Sequence, residues 1–448
     1  MEPELLAYHY EQAGLAGPAV DYWHRAARRD AERSANIEAL NHFNSALDLL
    51  KTLPQGKERN ALELELLLAR GVPLLSVKGY ASDEMEHNYR RAKDLSEEHS
   101  GSMHQFLAIR GLWVFHLVRG HVADARDLAE TLLALAKHEQ LSDLLIDAHH
   151  LLGATYFFLG RFDDARIHLF TAKSLDDPNQ HRVLALRYGQ DPGITARIML
   201  ARTLWILGEV EQAEIVAKEA IVMARAIEHP YTLVFALVFL SRFYSAVHNA
   251  KRTLALTNEA IAVSTQYSFA LGLAIATTSQ GWALAENGAE QGLGKLLNGL
   301  SAIRATGATL DLTFTLALLA EIYLRNHRFE EGLRAIEEAQ KLAETGGERF
   351  WQSELFRLKG ELLLKQSDQS VPEAEHCFNE AVNIARAQGA IMLELRAGTS
   401  LARLLRKLNR SDTAKRLLNS ILSRFGAQDA GPDCIEARTI LDQLSGVP

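Results

Sequence analysis

The sequence predicts an all-α protein, an α-solenoid of helical hairpins that repeat about every 40 residues. The first observation behind this prediction is composition. The 448 residues are 48% hydrophobic and include only 10 prolines and 29 glycines, so long uninterrupted elements are expected. Alanine and leucine dominate and β-branched runs are scarce, which favours helices. The charged fraction of 23% is that of a folded chain and excludes a disordered one.

The second observation is a spacing of small and large residues. Starting from Gly153, an aromatic residue follows three positions later at Tyr156, and a small residue follows twelve positions later at Ala165. A bulky residue, Leu169, and another small residue, Ala172, follow at sixteen and nineteen. Small residues at these points let two antiparallel helices approach closely, while the large residues fill the space beside them. The string "LGRFDD" supplies the turn between the helices.

The third observation is that this spacing recurs along the chain. Its first positions are Trp113, Gly153, Ala201, Ser241, Gly281, Ala320, Gly360 and Ala402. The successive steps are 40, 48, 40, 40, 39, 40 and 42 residues. A fixed period of this size indicates a solenoid, in which each hairpin buries its apolar face against its neighbours.

The spacing resembles the tetratricopeptide repeat, most clearly in "LLGATYFFLGRFDDA" and in "EIYLRNHRFEEGLRAIEEA" (Glu321–Ala339). The resemblance implies a right-handed solenoid in which the first helix of each hairpin lines the concave face. The period of the family is about 34 residues. The roughly six additional residues per unit predict helices almost one turn longer, and therefore a deeper groove.

Three regions are predicted along the chain. Residues 1–99 form less regular helical repeats, because the spacing is only partly kept there. Residues 100–428 form the tetratricopeptide-like solenoid, and residues 429–448 form a terminal helix that caps the stack.

An insertion near residues 176–194 interrupts the solenoid. The step from Gly153 to Ala201 is longer than the others, at 48 residues, and its additional residues lie in this insertion. The insertion contains the string "LRYGQDPG". Asp-Pro-Gly favours a tight turn followed by a new helix, since proline fits the first helical turn and aspartate can cap it. We therefore expect the insertion to lie beside the centre of the groove.

Four strings go beyond a generic repeat. They are "ELLAYHYEQAGL", "LRYGQDPG", "GWALAENGAEQGLGKLLNGLSAIRATGA" and "TGGERFWQSELFRLKGELLL". Together they closely resemble the C-terminal repeat region of large bacterial signalling proteins that carry a class III adenylate or guanylate cyclase domain and then a STAND-type ATPase. More distantly they are similar to the sensor region of the maltotriose-responsive transcription activators. The resemblance implies a regulatory region acting on linked cyclase and ATPase modules.

The cyclase and ATPase modules are absent from this sequence. In the relatives, the string "ELLAYHYEQAGL" lies just after the ATPase, so the chain begins about where the repeats begin. An excised domain, a truncated gene product and a free-standing repeat protein all stay open as its origin.

Charge and hydropathy argue against nucleic-acid and membrane partners. The net charge is −8, the calculated pI is 6.1, and lysine and arginine are not clustered, so a run of phosphates would find no matching surface. Apolar runs fall short of the roughly 20 residues that a membrane-spanning helix needs, and the N-terminus does not resemble a signal peptide. Cys377 and Cys434 lie far apart, as in a protein of a reducing compartment. A cytoplasmic location is expected.

Motifs of catalysis and of cofactor or metal binding are missing. The nearest match to a phosphate-binding loop is "GAEQGLGKLL", where Lys295 is followed by Leu296 instead of serine or threonine and Ala289 replaces the first glycine. Gly-x-Ser-x-Gly, His-Glu-x-x-His and Cys-x-x-Cys strings do not occur. The neighbours His149 and His150 would point about 100° apart on a helix and could not share a metal ion. The sequence therefore predicts a protein that is not an enzyme, with no cofactor and no metal ion.

Binding residues are predicted from the solenoid geometry. Side chains one and four positions after each first position are expected to face the groove, and in the middle of the chain these positions gather arginine and tryptophan. Both residue types are enriched at binding hot spots. The candidate binding residues are Phe157, Arg202, Trp205, Arg242 and Trp282, joined by Tyr188 and Asp191 from the insertion. The alternative is that the tryptophans pack between the lengthened helices and have no binding role.

Two functions remain open at this point. The first is a regulatory protein-interaction scaffold that binds a protein segment or peptide in its groove. The second is a sensor for a small molecule such as a sugar or another metabolite. An open, charged channel would favour the first, and a closed, aromatic-lined pocket would favour the second. Homo-oligomers are also possible, because solenoid ends expose unsatisfied faces.

Overall fold

The computed structural model describes residues 2–33, 35–79, 81–99, 102–426 and 431–445. These residues form 23 α-helices and one short 3-10 helix, and the described part of the chain contains no strand. The predicted all-α class is confirmed. Within the same residues, no helix is both long enough and apolar enough to cross a membrane.

Five helices precede the regular repeats. They are α1 (Pro3–Gln12), α2 (Ala16–Glu32), α3 (Asn36–Leu50), α4 (Lys57–Lys78) and α5 (Asp83–His99). Part of this region packs around a small apolar cluster of its own, which includes Val20, Phe43 and Leu66.

Eight hairpins follow, one for each unit that the spacing predicts. They are α6 (Ser102–Val118) with α7 (Val122–Glu139), α8 (Ser142–Phe158) with α9 (Phe162–Ser174), α11 (Pro192–Ile206) with α12 (Val210–Ala226), α13 (Pro230–Ala246) with α14 (Ala250–Gln266), α15 (Ala270–Glu286) with α16 (Gln291–Ala305), α17 (Leu312–Arg325) with α18 (Phe329–Gly346), α19 (Gln352–Gln366) with α20 (Val371–Ala387), and α21 (Ile391–Lys407) with α22 (Ser411–Leu422). All eight first positions of the spacing lie in the first helix of a hairpin. The tetratricopeptide-like solenoid is thereby confirmed.

Three further elements complete the chain. They are α10 (His181–Tyr188) inside the insertion, the 3-10 helix (Asp368–Ser370) and the terminal helix α23 (Pro432–Ser445). Helix α23 packs against α21 and α22, as expected of a capping helix. The flanking residues 429–430 and 446–448 of the predicted cap lie outside the described residues.

Small residues hold the two helices of a hairpin together. A Cβ atom added at Gly153 would lie 2.6 Å from Cγ of Leu169. At Gly281, an added Cβ would collide with the backbone nitrogen of Leu296. The turns use residues in the left-handed conformation, such as Gly160 (φ +72°) between α8 and α9, because that conformation ends a helix.

The insertion folds as its sequence predicts. Helix α10 ends at Tyr188, Gly189 follows it in the left-handed conformation, and α11 starts with Pro192 as its first residue. Asp191 caps α11, because its Oδ1 accepts a hydrogen bond from the backbone nitrogen of Ile194 at 2.7 Å.

The solenoid curves so tightly that its successive turns meet. The backbone nitrogen of Thr309 donates to the carbonyl oxygen of Val118 at 2.9 Å. The next unit repeats this contact, since the nitrogen of Arg349 donates to the oxygen of Phe158 at 2.7 Å. In both contacts the partners are about 190 residues apart in the chain. Residues on the concave side therefore face later parts of the chain across the superhelix axis, not open solvent.

The expectation of a deeper groove is corrected by this closure, because predicted groove residues such as Arg202, Arg242 and Trp282 are buried. One continuous cluster of buried apolar residues extends from Phe106 to Leu444. Longer helices were predicted, and most helices of the eight hairpins do have 14 to 18 residues. Their length increases the packed interior of the superhelix instead of deepening a cleft.

Candidate functional site

A central charge cluster lies in the interior of the superhelix and consists of Arg202, Arg242, Asp311 and Glu348. Nη2 of Arg202 lies 3.2 Å from Oδ1 of Asp311, and Nη1 of Arg242 lies 3.4 Å from Oδ2 of the same aspartate. All four side chains are buried. One carboxylate is therefore shared by two guanidinium groups in a region shielded from water.

Hydrogen bonds hold Arg242 in place, and contacts with aromatic rings hold Arg202. Arg242 donates from Nη1 to the backbone oxygen of Asp311 at 3.2 Å and from Nη2 to Oγ1 of Thr315 at 3.0 Å. The guanidinium of Arg202 lies over the ring of Phe157, with 4.6 Å between Cζ and the ring centroid, and 5.3 Å from the ring of Phe350. Such cation–π contacts stabilise a charge whose hydration has been lost.

Glu348 completes the cluster as a second buried carboxyl group. It accepts hydrogen bonds from the backbone nitrogen of Asp311 at 2.8 Å and from the hydroxyl of Thr313. Burial and then the nearby charge of Asp311 raise the pKa of Glu348 to about 7. Burial also lowers the pKa of Arg242, against the opposing effect of Asp311, and the charge of Arg202 lowers it further. The lowered pKa of Arg242 indicates that Asp311 does not fully offset the cost of burying this guanidinium group.

A central cavity of about 100 Å³ adjoins this cluster. Its walls come from α6, α8, α11, α13, α15, α16 and the segment before α17, which lie far apart in the sequence. The apolar lining includes Trp113, Val114, Ala154, Phe158, Met199, Val234, Val238, Ile275, Ile303 and Leu310. Its polar lining residues are His150, Gln190, Arg242 and Asp311. An apolar cavity with a few convergent polar groups is the usual form of a small-ligand site.

Three of the polar lining residues have an atom whose hydrogen-bonding capacity is unused. These buried atoms, Nδ1 of His150, Oε1 of Gln190 and Nε of Arg242, have no hydrogen-bond partner among the residues that the structure describes. Nδ1 of His150 lies 3.6 Å from Oδ1 of Asp147, beyond hydrogen-bonding distance. A buried polar atom without a partner costs about 1–3 kcal/mol, so a polar partner in the cavity would be favourable.

Half-buried side chains border the cavity on one side. Tyr231, Phe235 and Phe239 belong to α13, and Leu271 belongs to the neighbouring α15. The rings of Phe235 and Phe239 lie 4.4 Å apart between centroids. These residues form an apolar rim through which a ligand could enter.

The predicted binding residues fall into two groups. Arg242 lines the cavity, and Arg202 and Phe157 lie directly behind its wall, where Arg202 contacts Asp311. The insertion adds Gln190 to the lining, as expected from its position beside the centre of the superhelix.

The other predicted residues lie away from the cavity, in structural contacts. Trp205 is buried against Trp351, with 6.3 Å between ring centroids. Trp282 is fully buried and donates from Nε1 to Oε2 of Glu321 at 3.2 Å. For the two tryptophans, the structure thus matches the alternative that they pack between helices.

Tyr188 and Asp191 also have structural partners. The guanidinium of Arg110 lies 4.8 Å from the ring centroid of Tyr188. Besides capping α11, Asp191 accepts a hydrogen bond at 2.9 Å from Nδ1 of His181. These contacts anchor the insertion and thereby position Gln190 at the cavity.

Sequence reasoning missed His150 and Asp311, both of which line the cavity. His150 was considered only as a metal ligand beside His149, and Asp311 lies in a connecting segment outside the repeat spacing. Asp311 carried no detectable signal, because its partners depend on how far the superhelix curves.

Two groups of residues have spacing that a metal ion could use. Within the described residues these are His116, His121 and Asp124, and Asp176, His181 and Asp191. In the second group, Nη1 of Arg197 already lies 2.6 Å from Oδ2 of Asp176. Burial lowers the pKa of His181, but the bond to Asp191 and the charges of the two aspartates outweigh it, so the pKa is raised overall. A protonated His181, together with Arg197, would balance the charges of the two aspartates.

The tetratricopeptide repeat family matches residues 147–169 and 194–215. These segments contain the first positions Gly153 and Ala201 of two neighbouring hairpins. The chain thus carries tetratricopeptide repeats, as its spacing predicts.

An uncharacterized protein of Rhizobium meliloti (strain 1021) is 25% identical over 409 residues. The match covers 89% of this chain and 39% of that protein. The chain thus spans well under half the length of this relative.

Solved structures of helical-repeat proteins are similar over most of the chain. The Cut9–Hcn1 complex of the APC/C gives a TM-score of 0.49 at 12% identity, covering 99% of this chain and 89% of the other. A Rap protein in complex with competence and sporulation factor gives 0.47 at 10% identity, covering 96% and 99%. Yeast Tom70 gives 0.41 at 11% identity, covering 99% and 95%. At these TM-scores none of them assigns a function to this chain.

Proposed function

We propose that this chain is a non-enzymatic regulatory module that binds a small effector in the central cavity. The observation that carries the proposal is the set of three buried polar atoms, in His150, Gln190 and Arg242, that lack a partner among the described residues around an otherwise apolar cavity. The small volume of the cavity and its largely apolar lining, which includes several aromatic side chains, favour a small molecule over an extended peptide. The small-molecule alternative is therefore better supported than a protein segment lying in an open groove.

Effector binding would be coupled to the shape of the superhelix. The cavity walls combine early helices such as α6 and α8 with the segment at Asp311, and these parts meet only because the superhelix closes. A ligand that touches both parts stabilises the closed arrangement relative to a looser one. Typical couplings of this kind amount to about 1–3 kcal/mol, which is enough to alter the affinity for a second partner.

The second partner would be a protein. Tetratricopeptide repeats occur in this chain, and its sequence resembles the repeat region attached to cyclase and STAND ATPase modules. Cyclase and STAND ATPase modules are therefore the first protein partners to test. Binding of purified modules of that class, measured by calorimetry with and without the effector, would show whether the cavity and the partner are coupled.

Thermal unfolding of the purified chain against a panel of sugars, nucleotides and small apolar compounds tests the effector proposal. A ligand at a hundred times its dissociation constant adds about 2.7 kcal/mol, which raises the midpoint of a chain of this length by about 3 °C. The expected result is that at least one compound produces such a shift.

A matched pair of variants locates the site. Ala154 lines the cavity on α8, and Ala154→Leu would occupy part of it. Ala302 is exposed on α16, so Ala302→Leu makes the same change outside the cavity. The shift should vanish in Ala154→Leu and persist in Ala302→Leu. If no compound shifts the wild-type chain, or if both variants respond alike, the proposed site is wrong.

A further inference from the structure

We propose that the effector is a small carboxylic acid, whose carboxylate is bound by Arg242 and whose apolar body occupies the central cavity. This inference rests on the proposed function and adds the chemical class of the ligand. The observations that carry it are the unequal charges of the central charge cluster and the free donor of the arginine that lines the cavity.

The first observation concerns charge. Arg202 and Arg242 both pair with Asp311, at 3.2 and 3.4 Å. The cluster contains one further buried carboxyl group, that of Glu348, whose pKa is raised to about 7 by burial and by the charge of Asp311. When Glu348 is neutral, two guanidinium groups face one carboxylate. Buried charges are stable when they are paired, so one additional negative charge would complete the cluster.

The second observation concerns donors. Arg242 uses Nη1 and Nη2 on Asp311 and Thr315, and its Nε is buried without an acceptor in the described part of the chain. Carboxylates accept hydrogen bonds from guanidinium groups in short, charge-assisted contacts. A neutral ligand oxygen could satisfy the same donor but would leave the charge uncompensated.

The third observation concerns the remaining polar groups. Gln190 also lines the cavity. Within the described residues, its buried amide oxygen accepts no hydrogen bond. Its amide can be rotated to present the nitrogen to a second carboxylate oxygen. Rotation of the Gln190 amide would therefore give the cavity two donors for one acid group.

The apolar body must be small. A cavity of about 150 Å³ is known to hold benzene, and the central cavity measures about 100 Å³. A short alkyl chain fits this space and could extend toward the rim at Phe235 and Leu271, which are half-buried. We expect an optimum chain length, because a chain that is too short leaves the cavity unfilled and one that is too long must displace the rim.

The test compares acids with neutral analogues of equal length. Butanoate, hexanoate and octanoate are titrated into the full chain by calorimetry at constant ionic strength, each beside the matching primary alcohol. The pH is 6.0, which lies below the pKa of Glu348 but leaves the added acids ionised. The expected result is that the best acid binds at least tenfold more tightly than its alcohol. This comparison uses only the wild-type chain and does not depend on whether a variant folds.

Two variants then test whether Arg242 is the residue that makes acids bind more tightly than alcohols. Arg242→Met leaves Arg202 paired with Asp311, so one guanidinium group then faces one carboxylate. It should lose at least tenfold in affinity for the acid and less than threefold for the alcohol. Arg225→Met removes an arginine that pairs with Glu259 on the surface and should change neither affinity.

The outcomes separate this inference from the proposed function. If alcohols bind as tightly as acids and Ala154→Leu abolishes their binding, the cavity is a ligand site but the carboxylate assignment is wrong. If an acid binds and Arg242→Met binds it equally well, the assignment to Arg242 is wrong. If none of these compounds binds, the carboxylate inference is overturned, and the proposed function then depends on the wider panel alone.

Discussion

Arg202 and Asp311 lie 109 residues apart in the chain, yet their charged groups meet at 3.2 Å in the interior of the superhelix. Asp311 also compensates Arg242, so a single carboxylate supports two buried guanidinium groups. Removing one partner of a buried ion pair costs far more than removing a surface charge.

Asp311→Asn should therefore strongly destabilise the protein. The substitution leaves Arg202 and Arg242 without their shared counter-ion, and the free energy of unfolding should fall by about 3–5 kcal/mol. Denaturant unfolding followed by circular dichroism measures this loss. Asp94→Asn, at an exposed position of α5, serves as the control and should change stability by about 0.5 kcal/mol at most. Equal effects of the two substitutions would show that the cluster does not hold the interior together.

The stability of the chain should depend on the protonation of Glu348. In the folded protein its pKa is about 7, against 4.5 for the ordinary carboxyl. The folded state therefore binds one more proton than the unfolded state between these two pH values. Linkage then requires the free energy of unfolding to fall by about 3 kcal/mol as the pH rises through this window.

Glu348→Gln tests this dependence, because the amide cannot ionise and can still accept the bond from Asp311. The stability of the variant relative to wild type should increase from pH 4.5 to pH 8 by about the same 3 kcal/mol. Denaturant unfolding at a series of pH values gives both profiles. If the two stability profiles run parallel, the raised pKa of Glu348 in the folded protein is wrong.

His229 should have the opposite effect of pH. It caps α13, where its ring accepts from the backbone nitrogen of Thr232, and burial lowers its pKa to about 4 from 6.5. The unfolded state takes up a proton below pH 6.5 and the folded state does not. Stability is therefore lost as the pH falls from 6.5 toward 4, by about 3 kcal/mol.

His229→Asn retains a cap and removes this titration, since asparagine is a favoured N-cap residue. As the pH is lowered, the free energy of unfolding should therefore fall less in the variant than in the wild type, and at pH 8 the two should differ little. A direct measurement is the imidazole titration by NMR, in which the His229 signals should still be those of the neutral ring at pH 5.5. A ring already charged at that pH would refute the interpretation.

The close approach of hairpin helices gives a prediction with a matched pair of glycines. Gly281→Ala would force a Cβ against the backbone of Leu296, and the loss of stability should be at least about 1–3 kcal/mol. Around Gly294 on α16, no atom of the described chain lies within 4 Å of an added Cβ. Gly294→Ala should therefore stabilise the protein by about 0.5–1 kcal/mol. Thermal unfolding measures both effects, and the unfolding midpoint should fall in Gly281→Ala and rise in Gly294→Ala.

Local features of this fold were predictable from the sequence because they depend on neighbouring residues. The spacing of small and large side chains located all eight hairpins, since it is set by the crossing of two consecutive helices. The start of α11 followed from Asp191 and Pro192 for the same reason. The spacing also placed Arg202 and Arg242 among the candidate binding residues, and both lie in the central charge cluster.

What those side chains meet across the axis could not be predicted. The curvature of a solenoid is the sum of small rotations between units, and no single unit shows whether the axis is open or filled. Asp311 became the partner of two arginines only through this closure. For the same reason, Trp205 and Trp282 were expected in a groove and are instead packed in the interior.

Quenching of tryptophan fluorescence by iodide tests the closed superhelix most directly. Trp113, Trp205, Trp282 and Trp351 are at most 4% exposed, while Trp23 near the N-terminus is half-buried. In a Trp23→Phe variant, all remaining emission comes from the interior. The closed superhelix predicts that iodide leaves this emission almost unchanged in the native state and quenches it after unfolding. Strong quenching in the native state would show that iodide reaches the interior and would contradict the closed superhelix around the central cavity.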